Sequence, residues 1–315
     1  MFSRDPKGDQ ATFSRDPKGS AHLAPKPSRR ELLAGAASTA AGLAISPELR
    51  AALADARKDR LKVGMCDWSM GRRDVTAFEL GKQIGLDGVE VSIGSAEDNL
   101  KLRRPEVQKQ YLAAARKHGL TISSVAMGLL NRVPLMSEPR AALWVADTIQ
   151  VAKNLGARSV LLAFFGKGEL REENKDDMRR VTEALVELAP RAEKAGVILG
   201  LETYLTAEAH LKIIEQVKSN ALQVYYDVYN AAHKKHDVLK EIKLIGAKRI
   251  CQIHFKEGPN LLGSGKIDWP AVVATLKQIN YPGWIVLETS SPTKNVLVDT
   301  QANLRYVRRL FEERL

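Results

Sequence analysis

The chain has 315 residues, 44% hydrophobic and 27% charged, with a formal net charge of +11. That balance belongs to a soluble globular protein. The basic residues are spread along the helical segments rather than gathered in one block, so the charge reads as a solvated surface and argues against a nucleic-acid face.

Residues 1–27 contain a tandem copy, Phe2-Ser-Arg-Asp-Pro-Lys-Gly8 and Phe13-Ser-Arg-Asp-Pro-Lys-Gly19. Polar and interrupted by proline and glycine, this leader cannot bury a core and is expected to be disordered. Residues 28–56 open on Ser28-Arg29-Arg30-Glu31-Leu32-Leu33 and run through Ala- and Gly-rich sequence to Ala52-Leu53-Ala54 and Ala56. A basic pair, a weakly apolar stretch and a small-residue cleavage site make an export signal. The paired arginines with leucines after them resemble a twin-arginine signal, which implies an exported, periplasmic or otherwise extracytoplasmic protein. The apolar run is shorter than the roughly 20 residues a bilayer requires, so no membrane span is expected after cleavage.

From residue 57 the pattern alternates. Strands are predicted at 61–68, 88–93, 120–127 and 159–165, with helices at 75–84, 105–118, 139–155 and 175–195 between and after them. The second half repeats the unit, with strands at 197–202, 222–227, 249–254 and 284–288. Its helices are predicted at 207–217, 238–245, 269–279 and 298–313. Strands of near-continuous Val, Ile and Leu are what a parallel sheet covered on both faces needs. Eight such units predict an α/β fold of one domain over 57–315, a closed (β/α)8 TIM barrel. An open doubly wound sheet is the rival, but no Gly-x-Gly-x-x-Gly follows the first strand. Cys66 and Cys251 fall on strands 1 and 7, which such a barrel does not place side by side, so two unpaired buried thiols are expected.

The last four strands share a grammar. Val197-Ile-Leu-Gly-Leu ends on Glu202, Leu222-Gln-Val-Tyr-Tyr on Asp227, Arg249-Ile-Cys-Gln-Ile on His254 and Trp284-Ile-Val-Leu on Glu288, at intervals of 25, 27 and 34 residues. A strand and its return helix occupy about 30, so the four side chains reach the same end of one sheet. Functional groups of such barrels sit at the C-terminal ends of strands. Three converging carboxylates repel one another unless a cation holds them ionised. One histidine with three carboxylates suits one divalent ion, Mn²⁺ first, with Mg²⁺, Co²⁺ and Zn²⁺ as alternatives.

These segments, together with Tyr-Tyr-Asp227-Val-Tyr-Asn230, Ile-His254-Phe-Lys256-Glu257-Gly and Gly88-Val-Glu90, resemble the xylose-isomerase-like TIM-barrel sugar phosphate isomerase/epimerase family, including the D-tagatose 3-epimerase type. The resemblance spans about residues 60–313. It implies that Glu202, Asp227, His254 and Glu288 bind one divalent metal and that Glu202 and Glu288 also carry the proton. A small carbohydrate is then the substrate, with no nucleic acid as partner, and assembly into a homo-oligomer is left open. A metal draws electrons from a hydroxyketone carbonyl, one glutamate removes the proton beside it, and the other returns one on the opposite face.

Two departures stand out. Asn230 occupies the place where the tagatose epimerase type has a substrate-contacting histidine, and 255–262 contains Lys256 but none of that type's arginine. A lyase or hydratase acting on keto-sugars or keto-glycosides is therefore the runner-up, and a non-catalytic sugar-binding barrel a third reading. An abasic-site endonuclease needs further histidines on strands 2 and 3, which are absent. Candidate substrate contacts are Trp68, Glu90, Asn230, Lys256 and Glu257. Gly263-Ser-Gly265-Lys266 is read as turn geometry, and His210, His233 and His236 as surface histidines.

Overall fold

The computed structural model describes residues 61–312. The tandem leader and the expected export signal lie outside them. Eight strands form a closed all-parallel barrel in sequence order: β1 (Lys62–Cys66), β2 (Gly88–Ser92), β3 (Thr121–Met127), β4 (Ser159–Ala163), β5 (Ile198–Glu202), β6 (Leu222–Asp227), β7 (Ile250–Phe255) and β8 (Trp284–Leu287). The ring shuts where β8 pairs with β1, with Lys62 opposite Trp284 and Met65 opposite Leu287.

Helices cover the outside: α1 (Thr76–Ile84), α2 (Pro105–His118), α3 (Pro139–Leu155), α4 (Lys175–Ala195), α5 (Ala207–Val217), α6 (Val228–His233), α7 (Val238–Ile245), α8 (Trp269–Gln278) and α9 (Val296–Glu312). The sequence-predicted helices are all present. The addition is α6, which begins immediately after Asp227. Its six residues are too few to show a helical period, and its start is fixed because the Asp227 side chain accepts the Asn230 N–H at 2.8 Å. Among the described residues, no helix is long and apolar enough to cross a membrane.

Burial follows the two faces of the sheet. Val160 and Leu162 of β4, Leu199 and Leu201 of β5, and Ile253 and Phe255 of β7 join the core beneath the helices, together with Phe78, Leu185 and Trp269. Ala126, Leu161, Ala163 and Tyr225 form a smaller cluster inside the barrel. Gly200 makes that inner packing close: a Cβ there would stand 2.7 Å from Cys251 Sγ and 3.1 Å from Tyr225 Cβ. Below the mouth, Gln252 saturates its amide. Its nitrogen donates to the Ser123 carbonyl and Ser159 Oγ, both at 2.7 Å, while its oxygen accepts from Tyr225 (3.0 Å) and Ser124 (3.4 Å). A buried amide left short of partners would cost about 1–3 kcal/mol.

Register shifts matter for the site. Between β6 and β7 Val224 faces Ile250 but Tyr225 faces Gln252, so Cys251 is an extra residue. Beyond this bulge Asp227 and His254 are directly opposite one another. A one-residue insertion of this kind re-aims side chains near functional sites. Both cysteines are free, Cys66 buried and Cys251 only half-buried.

Candidate active site

The C-terminal ends of β5 to β8 bring Glu202, Asp227, His254 and Glu288 together. One ligand atom from each lies within 4.8 Å of the others. His254 is the hub. Its Nδ1 is 2.9 Å from Glu202 Oε1, 3.5 Å from Glu288 Oε2 and 3.8 Å from Asp227 Oδ2, while its Nε2 is 2.8 Å from Glu90 Oε2. Lys256 closes the other side, with Nζ 2.9 Å from Asp227 Oδ2 and 2.8 Å from Glu288 Oε2. Trp68 Nε1 donates to Glu288 Oε1 at 3.0 Å.

Burial and crowding set the charge states. Burial pushes Glu202 up to about 7 and raises Asp227 above the usual carboxylate range. Burial also acts to raise Glu288, but His254 and Lys256 outweigh it and hold the group low. Burial disfavours a charged His254, yet the carboxylates on both ring nitrogens prevail, and it is protonated well above its ordinary range. Acidic groups thus outnumber cationic ones in the cluster, with Glu90, Glu202, Asp227 and Glu288 around one imidazolium and one ammonium.

The donors fit a divalent cation. Three carboxylates and one imidazole, its Nδ1 proton given up as the ion binds, are a hard-to-borderline set. Asp227 Oδ2 is buried and accepts no hydrogen bond of good geometry, although Lys256 Nζ lies within ion-pair distance. A cation in the midst of these oxygens would offset the excess of acidic groups. Cys66, Glu90 and His254 form a second close group, but it uses the Nε2 already engaged by Glu90, and burial holds the Cys66 thiol protonated.

The other sequence candidates fall in different surroundings. Trp68 lines the cavity above the cluster. Glu90 is fully buried behind His254 and is not among the residues lining that cavity; its partner is the imidazole. Glu257 is also turned away. It accepts from the main chains of Gly263 (3.0 Å) and Ile267 (2.9 Å) and from the Trp269 indole, and so shapes the loop after β7 instead of contacting substrate or pairing with Lys256. Gly265 lies against that carboxylate, which accounts for the glycine pattern there. Asn230 is buried with Nδ2 unpaired and is not among the cavity's lining residues. His210 is not a surface histidine: it is buried, pairs with Thr203 Oγ1 at 3.0 Å, and burial lowers it to about 4.

The cavity holds about 390 Å³ and is walled by Trp68, Phe165, Leu161 and Ala163, with Glu202 and Glu288 reaching it from the cluster. Its opposite wall comes from Ser92 at the end of β2 and from the loops after β1, β2 and β3, with Arg73, Glu97, Asn131 and Arg132. A wider hollow of about 470 Å³ shares Trp68 and Glu288 and includes Lys256. Sequence reasoning missed Arg73 and Arg132; their positions just beyond strand ends were the available signal. It also missed Cys66, whose Sγ lies 3.3 Å from Glu90 Oε2.

A ring of eight parallel staves with acids and a histidine on consecutive strand ends defines the class. The chain belongs to the xylose isomerase-like TIM-barrel family, which matches residues 78–310. It is 26% identical over 215 residues to 2-epi-5-epi-valiolone 7-phosphate 2-epimerase of an Actinoplanes species, covering 65% of this chain and 78% of that protein. It is 28% identical over 235 residues to the L-ribulose-5-phosphate 3-epimerase UlaE of Escherichia coli, covering 69% and 82%. Among solved structures, D-psicose 3-epimerase from Clostridium cellulolyticum superposes with a TM-score of 0.67 at 20% identity, over 80% of this chain and 99% of that one. The 3-keto-D-glucoside 4-epimerase YcjR from Escherichia coli gives 0.66 at 15% identity, over 79% and 100%. At those identities the two structures establish the shared fold.

Proposed function

We propose that the protein is a divalent-metal-dependent sugar isomerase or epimerase that moves a proton at the carbon beside the carbonyl of a ketose. The observation that carries this is the meeting of Glu202, Asp227, His254 and Glu288 within 4.8 Å, with both glutamates opening on one small-molecule cavity. The relatives' names, all epimerases, support the same reading. Mn²⁺ is the expected ion, with Mg²⁺, Co²⁺ or Zn²⁺ as substitutes. Bound there, it would polarise the carbonyl of a hydroxyketone and stabilise negative charge as it develops.

The chain's own residues do the rest. Glu202 projects from β5 and Glu288 from the end of β8, so a planar sugar intermediate lying between them meets a carboxylate on each face. One carboxylate removes the proton and the other returns it from the opposite side, which is what inversion requires. Lys256 and Trp68 hold Glu288 through its two oxygens and fix its orientation. Trp68, Phe165 and Leu161 exclude water from the cavity wall. Glu90 holds His254 by Nε2 and leaves Nδ1 directed at the shared centre.

The direct test is incubation with Mn²⁺ and a ketose panel in D₂O, followed by NMR. A specific C–H signal should vanish as a new isomer appears. Release of an aglycone would instead identify a lyase, and an unchanged spectrum across the panel would leave a binding protein. Glu90→Gln tests the supporting role. A neutral amide makes the imidazole a weaker ligand, so Mn²⁺ affinity should drop about tenfold. Calorimetry reads this without turnover, and an unaltered affinity would reduce Glu90 to packing.

A further inference from the structure

The cavity has two chemically different sides. The cluster side comes from β5 to β8 and is acidic, whereas the facing rim comes from the loops after β1, β2 and β3 and carries two guanidinium groups, Arg73 and Arg132. Among the described residues neither has a carboxylate within ion-pair distance. Arg103, on the turn after β2, shows the contrast: it pairs with Asp147 at 2.9 Å and takes no part in the cavity.

Both arginines sit on anchored loops. The Arg73 carbonyl accepts from the Tyr111 hydroxyl (3.3 Å) and from Lys101 Nζ. Next to Arg132, Asn131 Oδ1 accepts the Phe165 N–H at 2.9 Å, which ties the loop after β3 to that after β4. One acid, Glu97, lines the same rim, so the three side chains together leave it positive.

We propose that Arg73 and Arg132 form a subsite for an anionic substituent, a phosphate monoester or a carboxylate, at the end of the sugar remote from the reacting hydroxyketone. A guanidinium presents a planar fork of donors that matches both groups. A cation held by the acidic cluster would weaken its repulsion of an approaching anion, and the two arginines add positive charge at the facing rim. A cavity of about 390 Å³ is near the small end for ligand sites, enough for one sugar with one substituent. The proposal rests on the proposed function for where the hydroxyketone lies; anion binding itself is measurable without it.

The test uses the Mg²⁺-loaded protein, with Arg73→Gln, Arg132→Gln and the double variant against Arg140→Gln as a surface control. Matched ketoses are compared as free sugar, terminal phosphate and terminal carboxylate, which distinguishes the two anion sources. The kcat/KM preference for the anionic form should fall about tenfold in each single variant and further in the double. Calorimetry with inorganic phosphate and with D-glucuronate gives the reading independent of turnover, and the double variant should lose binding of the preferred anion. If no sugar turns over but that binding is lost, the isomerase reading fails and the subsite stands. If sugars turn over with no anionic preference, or if the double variant binds anions as the parent does, the subsite is overturned.

Discussion

Glu202→Gln and Glu288→Gln should each lower kcat by about a thousandfold or more, within the range a positioned general acid or base contributes. Glutamine preserves shape and one carbonyl oxygen, so an ion can still be held, but it can no longer accept a proton from carbon. The environments of the pair are unequal. Glu288 is gripped by Lys256 at 2.8 Å and Trp68 at 3.0 Å, whereas Glu202 is buried against His254 at 2.9 Å. With a neutral residue at 288, Lys256 keeps Asp227, so the fold should tolerate the change. Steady-state kinetics and deuterium exchange at carbon read the two substitutions separately. A variant retaining activity within tenfold of the parent would remove that glutamate from the proton path.

Divalent cations should raise the melting temperature markedly. Carboxyl groups outnumber cationic ones in the cluster, and an ion that binds only the folded chain stabilises it by mass action. At a hundred times the dissociation constant the gain is about 2.7 kcal/mol. For a barrel of this size each kcal/mol corresponds to about 2–4 °C, so the expected shift is about 5–10 °C. Thermal melts with Mn²⁺, Mg²⁺, Co²⁺ and Zn²⁺, reversed by chelator, measure it, and His254→Ala should abolish it. Indifference to all four ions would mean that no cation is held there.

Much of this architecture is legible in the sequence because each unit announces itself twice, by a short apolar run and by an amphipathic one. The bounds of α2, α3, α4, α5 and α7 follow from the pattern to the residue. Gly119, Gly156 and Gly196 mark three of those ends, each at positive φ where an L side chain is strained. The four strand-end ligands are equally visible, since a charge that closes an apolar run has few other places to go. Orientation is less accessible. Glu90 and Glu257 have the right chemistry at suggestive positions, yet tertiary partners turn one behind His254 and the other into a loop. Arg73 and Arg132 lie in irregular segments, where a ligand-facing arginine and a solvated one look alike.

The pairing of β1 with β8 carries a consequence for how the protein comes into being. Trp68, just past the first stave, touches Glu288 beyond the last, and Glu90 from the second reaches His254 on the seventh. A nascent polypeptide therefore owns no finished centre until its final stave has emerged and closed the circle. Folding must wait on contacts more than two hundred residues apart in sequence, a slow kind of closure, and local fraying along that join would disable chemistry well before the remainder of the molecule melts.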